Sequence, residues 1–118
     1  MKTKKTIFVA HPISGDIQGN VEKILKICKE IHNETTIPVA PYLMSLRYLD
    51  DSESEERDLG IGANLETFHR GYVDELWLFG DTVSPGMKEE IDLALSLGIP
   101  IVAKTEGTKK SLQNIISE

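Results

Sequence analysis

The sequence predicts an α/β protein built on an open parallel sheet. Two continuous apolar runs, at residues 7–10 and 76–79, lack the alternation of a strand that is exposed on one face, and such runs are typical of buried parallel strands. Segments with helical periodicity separate the runs, so strands and helices alternate along the chain. This alternation predicts a three-layer, flavodoxin-like or Rossmann-like sandwich with helices on both faces of the sheet.

Each predicted element has its own local signal. Shorter apolar runs at residues 37–40 and 100–103 join the first two, so we expect four or five strands. Apolar side chains recur at three- and four-residue steps over residues 17–31, which predicts a helix with Asp16 or Asn20 as its N-cap. Further helices are predicted at residues 54–70, 87–97 and 109–116, and Gly98 is a suitable end for the second of these.

Composition and charge exclude several classes of protein. The formal net charge is −6, whereas a surface that binds a nucleic-acid polymer needs clustered Lys and Arg to replace counterions. The single cysteine, Cys28, cannot form an internal disulfide, and the three histidines have no ligand-like spacing, so we expect neither a disulfide scaffold nor a metal or cofactor. No apolar run approaches the ~18 residues of a membrane span and no targeting segment is evident, which predicts one cytoplasmic domain over residues 1–118.

The segment at residues 50–58 is strongly acidic, with six Asp or Glu residues and one Arg. Negative charge is favourable in the first turn of a helix, so we interpret the segment as the solvated start of the second predicted helix. It lacks the Gly that an EF-hand loop needs at its turn position. The segment therefore carries no predicted site.

Candidate ligand-binding residues lie in the loops after the first and third strands. In open parallel sheets, ligands bind outside the carboxyl ends of the strands, where the strand order reverses. Backbone N–H groups at the helix starts after these loops can hold a phosphate or a sugar hydroxyl, although the first loop taken alone is more simply a tight turn with a helix cap. The candidates are His11, Pro12, Ser14, Gly15, Asp81, Ser84, Gly86 and Met87.

Two glutamates are candidate catalytic carboxylates. Glu90 lies nearer the apolar side of its predicted helix than Glu89, because neighbouring helical residues point about 100° apart. Glu90 is therefore either a nucleophile or base aimed at a cleft, or a first-turn glutamate that the helix dipole favours. Glu66 precedes the third strand and is either an exposed helix residue or the second of a carboxylate pair that cleaves a glycosidic bond.

Four motifs follow one another along the chain. They are His-Pro-Ile-Ser-Gly-Asp at residues 11–16, Asp-Glu-Leu-Trp-Leu-Phe-Gly at 74–80, Ser-Pro-Gly-Met-Lys-Glu-Glu-Ile at 84–91 and Leu-Gly-Ile-Pro-Ile at 97–101. Their order and spacing resemble the nucleoside 2-deoxyribosyltransferase-like superfamily, and most of all a small branch found in bacteria and their phages. The resemblance covers nearly the whole chain and implies a single deoxyribosyltransferase-like domain.

The resemblance also implies roles for particular residues. In that superfamily a glutamate at the start of the helix after the third strand attacks the anomeric carbon and releases the base, and Glu90 matches it. Ser84 matches a serine with which the related deoxynucleotide N-hydrolases contact the 5′-phosphate, and Glu66 matches the Asp that they use as sugar ligand and proton carrier. Phe8 and Ser14 stand where those hydrolases carry an aromatic hydroxyl and an Arg, so one orienting group and the phosphate clamp are missing.

We therefore expect cleavage or transfer at the N-glycosidic bond of a nucleoside, deoxynucleoside or nucleoside monophosphate. The alternative is a protein of the same fold that binds an ADP-ribose-like or cyclic nucleotide without cleaving it, for example a phage protein that captures an immune signal in the host cytoplasm. We expect a homodimer or larger homo-oligomer under either function, because relatives complete their sites with a neighbouring subunit. The candidate contact residues, which otherwise cover the chain's own sheet, are Tyr42, Leu43, Met44, Leu46 and Tyr48.

Overall fold

The computed structural model describes residues 3–117, in which strands and helices alternate. Within that part of the chain the strands are β1 (Lys5–Ala10), β2 (Thr36–Val39), β3 (Glu75–Leu78) and β4 (Ile101–Ala103). The helices are α1 (Ile17–Ile31), α2 (Pro41–Tyr48), α3 (Ser54–His69), α4 (Pro85–Leu97) and α5 (Glu106–Ser117). The predicted α/β fold with a four-stranded parallel sheet is confirmed, and the described residues contain no fifth strand. None of these helices has the length and apolarity needed to cross a membrane.

The strand order β2-β1-β3-β4 places the loops after β1 and β3 side by side. All pairs are parallel, and Ile7 of β1 is opposite Pro38 on one side and Glu75 on the other. The crossover from β1 to β2 and the one from β2 to β3 run in opposite directions along the sheet, so right-handed connections place α1 on one face and α3 and α4 on the other. The order therefore reverses between β1 and β3, which is where open sheets form ligand crevices.

The main core lies between the sheet and the helices α3 and α4. Phe8 and Ala10 of β1 stand beside Leu76 and Leu78 of β3 on this face. The ring of Phe68, from α3, packs against that of Phe8 with the centroids 4.6 Å apart. Helix α4 contributes a stripe of buried side chains at helical spacing, namely Met87, Ile91 and Ala94. The two helices thus meet the same strands and lie next to each other.

Side-chain caps begin the helices that follow the two loops. Asp16 accepts a hydrogen bond from Gly19 N at 3.1 Å and caps α1, whereas the Asn20 amide donates to Ile13 O at 3.0 Å and braces the loop after β1. Ser84 caps α4 as predicted, with its hydroxyl oxygen 3.3 Å from Met87 N. Both loops therefore end at a fixed helix start.

Helix α2 was not predicted, because eight residues are too few for a helical period to stand out. It packs on α3, where a Cβ at Gly60 would lie 3.3 Å from the Tyr42 ring and 3.4 Å from Ser45 Cβ. The segment therefore packs against a helix of its own chain. Of the five residues proposed for a contact between copies, Met44 and Tyr48 are exposed, Leu46 is half-buried, and Tyr42 and Leu43 line a cavity instead.

Glycines allow the two loops to meet closely. Gly80 has φ of +96°, and a Cβ there would lie 2.7 Å from Pro12 Cδ, so the loop after β3 touches the loop after β1. The start of α5 holds the same loop from the other side, since Thr105 Oγ1 donates to Gly80 O at 2.7 Å and Gly107 packs against Asp81 O. Contacts from the loop after β1 and from the start of α5 thus hold the carboxyl edge of β1 and β3 in place.

We expect Gly107→Ala to destabilise the fold, because the added Cβ would lie 1.8 Å from the backbone oxygen of Asp81. The loop must shift to relieve this contact, and overpacking of this kind lowers the free energy of unfolding by about 1–3 kcal/mol. The control is Gly62→Ala, whose Cβ meets nothing within 4 Å and which gains about 1 kcal/mol of helix propensity. Urea unfolding followed by circular dichroism measures both variants. An unfolding midpoint for Gly107→Ala equal to that of the wild type would contradict the close contact.

Candidate functional site

A cavity of about 270 Å³ opens at the carboxyl edge of β1, and we call it the Glu90 cavity. Its sides come from the loop after β1, the first turn of α4, and the helices α2 and α3 with their connection. Phe8 and Met87 contribute apolar surface, and Glu90 contributes a carboxyl group. The cavity lies at the edge where the strand order predicts a ligand site.

Glu90 and Asn64 form a buried polar pair between α4 and α3. Their exposed fractions are 8% and 7%, and the Asn64 amide donates to Glu90 Oε2 at 2.7 Å. Each residue lies on the apolar stripe of its helix, since Glu90 is three residues after Met87 and Asn64 is four residues before Phe68. Because α3 and α4 are neighbours on one face of the sheet, the two stripes bring these polar groups together.

Burial raises the pKa of Glu90 from the ordinary value of 4.5 to about 8. The hydrogen bond from Asn64 opposes this shift, because it favours the charged carboxylate, and the nearby charge of Glu89 adds to it. A pKa of about 8 leaves roughly a tenth of the carboxyl groups ionised at pH 7. Glu90 is therefore mainly a neutral acid at neutral pH, and perturbed groups of this kind concentrate at functional sites.

Arg57 and Ser14 meet at the opening of the cavity. The Arg57 guanidinium donates to Ser14 Oγ at 3.3 Å, and both side chains are exposed. Since the serine oxygen accepts this bond, its own proton is left to donate elsewhere. Among the described residues that line the cavity, Arg57 is the single Lys or Arg.

A tyrosine and an aspartate form a second polar pair in the cavity lining. The Tyr42 hydroxyl donates to an Asp51 carboxylate oxygen, and both residues are half-buried. Burial and the Asp51 charge raise the pKa of Tyr42 to about 12, so the phenol stays neutral and acts as a donor. Within residues 3–117, no three His, Cys, Asp or Glu side chains are grouped so as to hold a metal ion.

His11 borders the cavity, and a hydrogen bond defines the tautomer of its ring. Its Nδ1 lies 2.7 Å from Pro12 O, and because a carbonyl oxygen only accepts, Nδ1 carries a proton. In the neutral ring Nε2 is then the acceptor. His11 thus presents Nε2 as a hydrogen-bond acceptor at the border of the cavity.

Most of the predicted site residues line the Glu90 cavity, and a few do not. Those that line it are Glu90, His11, Pro12, Ser14, Ser84, Gly86 and Met87. Gly15 is an exposed turn residue with φ of +97° and is not part of the lining. Asp81 lines a second cleft on the other side of the His11–Pro12 turn, together with Lys23 and Thr82.

The structure corrects the prediction for Glu66, because the Glu66 side chain does not face Glu90. It follows Asn64 by two residues, which rotates it about 200° around the helix and turns it to solvent. Its carboxylate pairs there with Arg70 at 2.8 Å, and half of its side chain is exposed, at 51%. The predicted pairing of Glu66 with Glu90 around one sugar is therefore wrong in this structure, and Asn64 occupies the facing position.

The sequence-based prediction missed several polar residues of the cavity, among them Asn64, Asp51, Arg57 and Tyr42. Asn64 had a usable signal, since it is a polar residue on the stripe that joins Ile61 to Phe68. Asp51 and Arg57 belong to the acidic segment that we interpreted as a solvated helix start, and Tyr42 was assigned to a contact between copies. Nothing local marks these three, because they reach the cavity through the packing of α2 on α3.

Comparison with known families settles where the chain belongs. A family model described as a domain of unknown function, DUF7768, matches residues 5–104. The chain belongs to the DUF7768 family. No curated protein matches this DUF7768 sequence. A crystal structure of a conserved protein from Enterococcus faecalis V583 is similar to it with a TM-score of 0.57 and 20% identity, over 97% of this chain and 76% of that one, which supports the fold.

We expect Glu90→Gln to make the DUF7768 protein more stable at high pH. Between about pH 4.5 and 8 the unfolded wild type ionises Glu90 while the folded protein keeps it neutral, so wild-type stability falls with rising pH. The unfolding free energy of the glutamine variant does not fall in this way. Since each unit of pKa shift corresponds to about 1.4 kcal/mol, the variant is more stable than the wild type by a few kcal/mol above pH 8, and the difference is near zero at pH 4.

Denaturant unfolding at pH 4, 6.5 and 9 measures this difference. The matched control is Glu30→Gln, at an exposed position of α1, for which the change in unfolding free energy stays within about 0.5 kcal/mol at each pH. If the stability difference between Glu90→Gln and the wild type does not grow between pH 4 and pH 9, Glu90 is not held as a buried acid.

Proposed function

We propose that this protein cleaves or transfers the N-glycosidic bond of a nucleoside or nucleoside monophosphate, with Glu90 as the nucleophile. The observation that carries the proposal is a carboxyl group with an exposed fraction of 8%, held by Asn64 on the lining of a cavity at the switch point of the sheet. A structural core position would not leave a carboxyl facing open space. The resemblance to nucleoside 2-deoxyribosyltransferase-like proteins assigns the nucleophile to the same residue.

The proposed reaction is a displacement at the anomeric carbon. A Glu90 oxygen forms a bond to C1′ while the bond from C1′ to the base nitrogen breaks, and the bonding pair leaves with the base, which takes up a proton. His11 is the group of the cavity lining that we propose to pass on such a proton. Water then attacks C1′ of the glycosyl ester and releases the sugar and the Glu90 carboxylate. A second base in place of water completes a transfer.

Asn64 supports this function as a positioning residue. Its amide holds Glu90 Oε2 at 2.7 Å, which leaves Oε1 as the oxygen available for attack. It also stabilises the ionised form that a nucleophile requires, because the hydrogen bond lowers the pKa of Glu90. In the resembling hydrolases an aromatic hydroxyl on the first strand is an orienting group, and this chain has Phe8 there. Asn64 can take over that orienting role from the facing helix.

We expect Glu90→Ala and Glu90→Gln to abolish base release, since neither side chain can form the glycosyl ester. Base release is measured by liquid chromatography on a panel of deoxynucleosides, ribonucleosides and their 5′-monophosphates. Removal of a covalent nucleophile costs about 10⁴-fold or more in rate. Glu30→Gln, at an exposed position of α1 outside the cavity lining, is the matched control and keeps the wild-type rate within about threefold, as expected for a surface change.

The pH profile gives a second test of the same assignment. The wild-type rate rises about tenfold per pH unit below pH 8 and levels off above it, because only ionised Glu90 attacks. Asn64→Ala moves the rising limb to higher pH, since it removes the bond that favours the carboxylate. A folded wild-type protein that releases no base from any member of the panel between pH 6 and 9 would refute the proposal.

One observation favours the second candidate, binding of a nucleotide-derived ligand without cleavage. A carboxyl with a pKa of about 8 is mostly neutral at pH 7 and donates a hydrogen bond rather than attacking. We expect a binding protein to release an intact nucleotide, such as an ADP-ribose-like or cyclic nucleotide, when purified protein is denatured and analysed by mass spectrometry. Recovery of free base and sugar instead, or no effect of such nucleotides on the melting temperature, argues against this candidate.

A further inference from the structure

We infer that Arg57 and Ser14 form an anion subsite at the opening of the Glu90 cavity, and that it selects a nucleoside 5′-monophosphate over the nucleoside. The inference rests on the proposed function, whose substrate class it narrows. It depends on contacts between α3 and the loop after β1, which bring the guanidinium and the hydroxyl together across 43 residues of sequence.

The two side chains present donors without a competing acceptor. Arg57 has five N–H donors and uses one on Ser14, at 3.3 Å, and no carboxylate lies within ion-pair distance of it among the described residues. Ser14 accepts that bond and keeps its hydroxyl proton to donate. A phosphate oxygen placed between them therefore receives a charged and a neutral hydrogen bond at once.

The charges around the cavity restrict where an anion can bind. Asp51, Glu89 and Glu90 are acidic lining residues, whereas Arg57 is the single Lys or Arg among the described ones. Asp51 and Glu89 repel a phosphate by their charge, whereas the Arg57 guanidinium attracts it. The guanidinium therefore favours binding of the phosphate at the opening.

The different exposure of these residues indicates which end of the substrate lies at the opening of the cavity. Arg57 and Ser14 are exposed, whereas Glu90 has an exposed fraction of 8%. A phosphate at the opening keeps part of its hydration, which lowers the cost of binding a double charge. The sugar then extends inward with C1′ towards Glu90. A nucleoside 5′-monophosphate has this order of groups, with the charge at one end and the reacting carbon further in.

The test is equilibrium binding by calorimetry to Glu90→Gln protein, which is incapable of covalent attack and leaves each probe intact. The probes are the four common deoxynucleosides and their 5′-monophosphates. We expect at least one monophosphate to bind about tenfold or more tightly than its nucleoside, because a charge-assisted bond adds to a neutral one. Adding Arg57→Gln brings the affinities for the monophosphate and the nucleoside close to each other, whereas the nucleoside affinity itself changes less than about twofold.

The matched control is Arg47→Gln, an equal change of charge on exposed α2 outside the cavity lining, which keeps the ratio. Arg57→Lys retains the charge but loses the fork of donors and keeps only part of the preference. The inference is overturned if Arg47→Gln removes the monophosphate preference as fully as Arg57→Gln does. It is also overturned if Arg57→Gln weakens nucleoside and monophosphate binding equally, or if no monophosphate binds measurably. Because binding needs no turnover, a phosphate preference in a protein that releases no base would refute the proposed function alone.

Discussion

The hydrogen bond from Asn64 to Glu90 ties the two helices that cover the core to the cavity beside it. A carboxyl and an amide, each less than a tenth exposed, stand on apolar stripes where leucine would be the ordinary residue. Either group alone would bear the cost of an unpaired buried polar atom, so the packing of α3 against α4 must keep their register. The same contact holds Glu90 at the cavity lining and limits the rise of its pKa that burial causes.

The position of Glu90 follows from the sheet. The order β2-β1-β3-β4 makes the loops after β1 and β3 diverge to opposite faces, and the space between them is not filled by either helix. Gly80 lets the loop after β3 approach Pro12, and α5 supports that loop from behind. The Glu90 carboxyl therefore lies beside an edge that several contacts hold in place, as the proposed nucleophile would require.

Helix α2 and its connection to α3 supply the remaining polar groups of the site. Tyr42 and Asp51 pair with each other, and Arg57 reaches across to Ser14. The guanidinium of Arg57 thus arrives at the loop after β1 from α3. An acidic protein can in this way hold one anionic group without a surface that attracts nucleic acids, because the cation is local.

The sequence by itself determined the parallel α/β fold, the helix caps at Asp16 and Ser84, and the inward turn of Glu90. These features depend on apolar periodicity and cap chemistry, which act over a few residues. Tertiary structure alone decided that Asn64 rather than Glu66 faces Glu90, and that α2 brings Tyr42 to the cavity. The reason is that the role of a polar side chain depends on the groups it contacts, and these can lie far away in the sequence. Asn64 and Glu90 are 26 residues apart, and Ser14 and Arg57 are 43 apart.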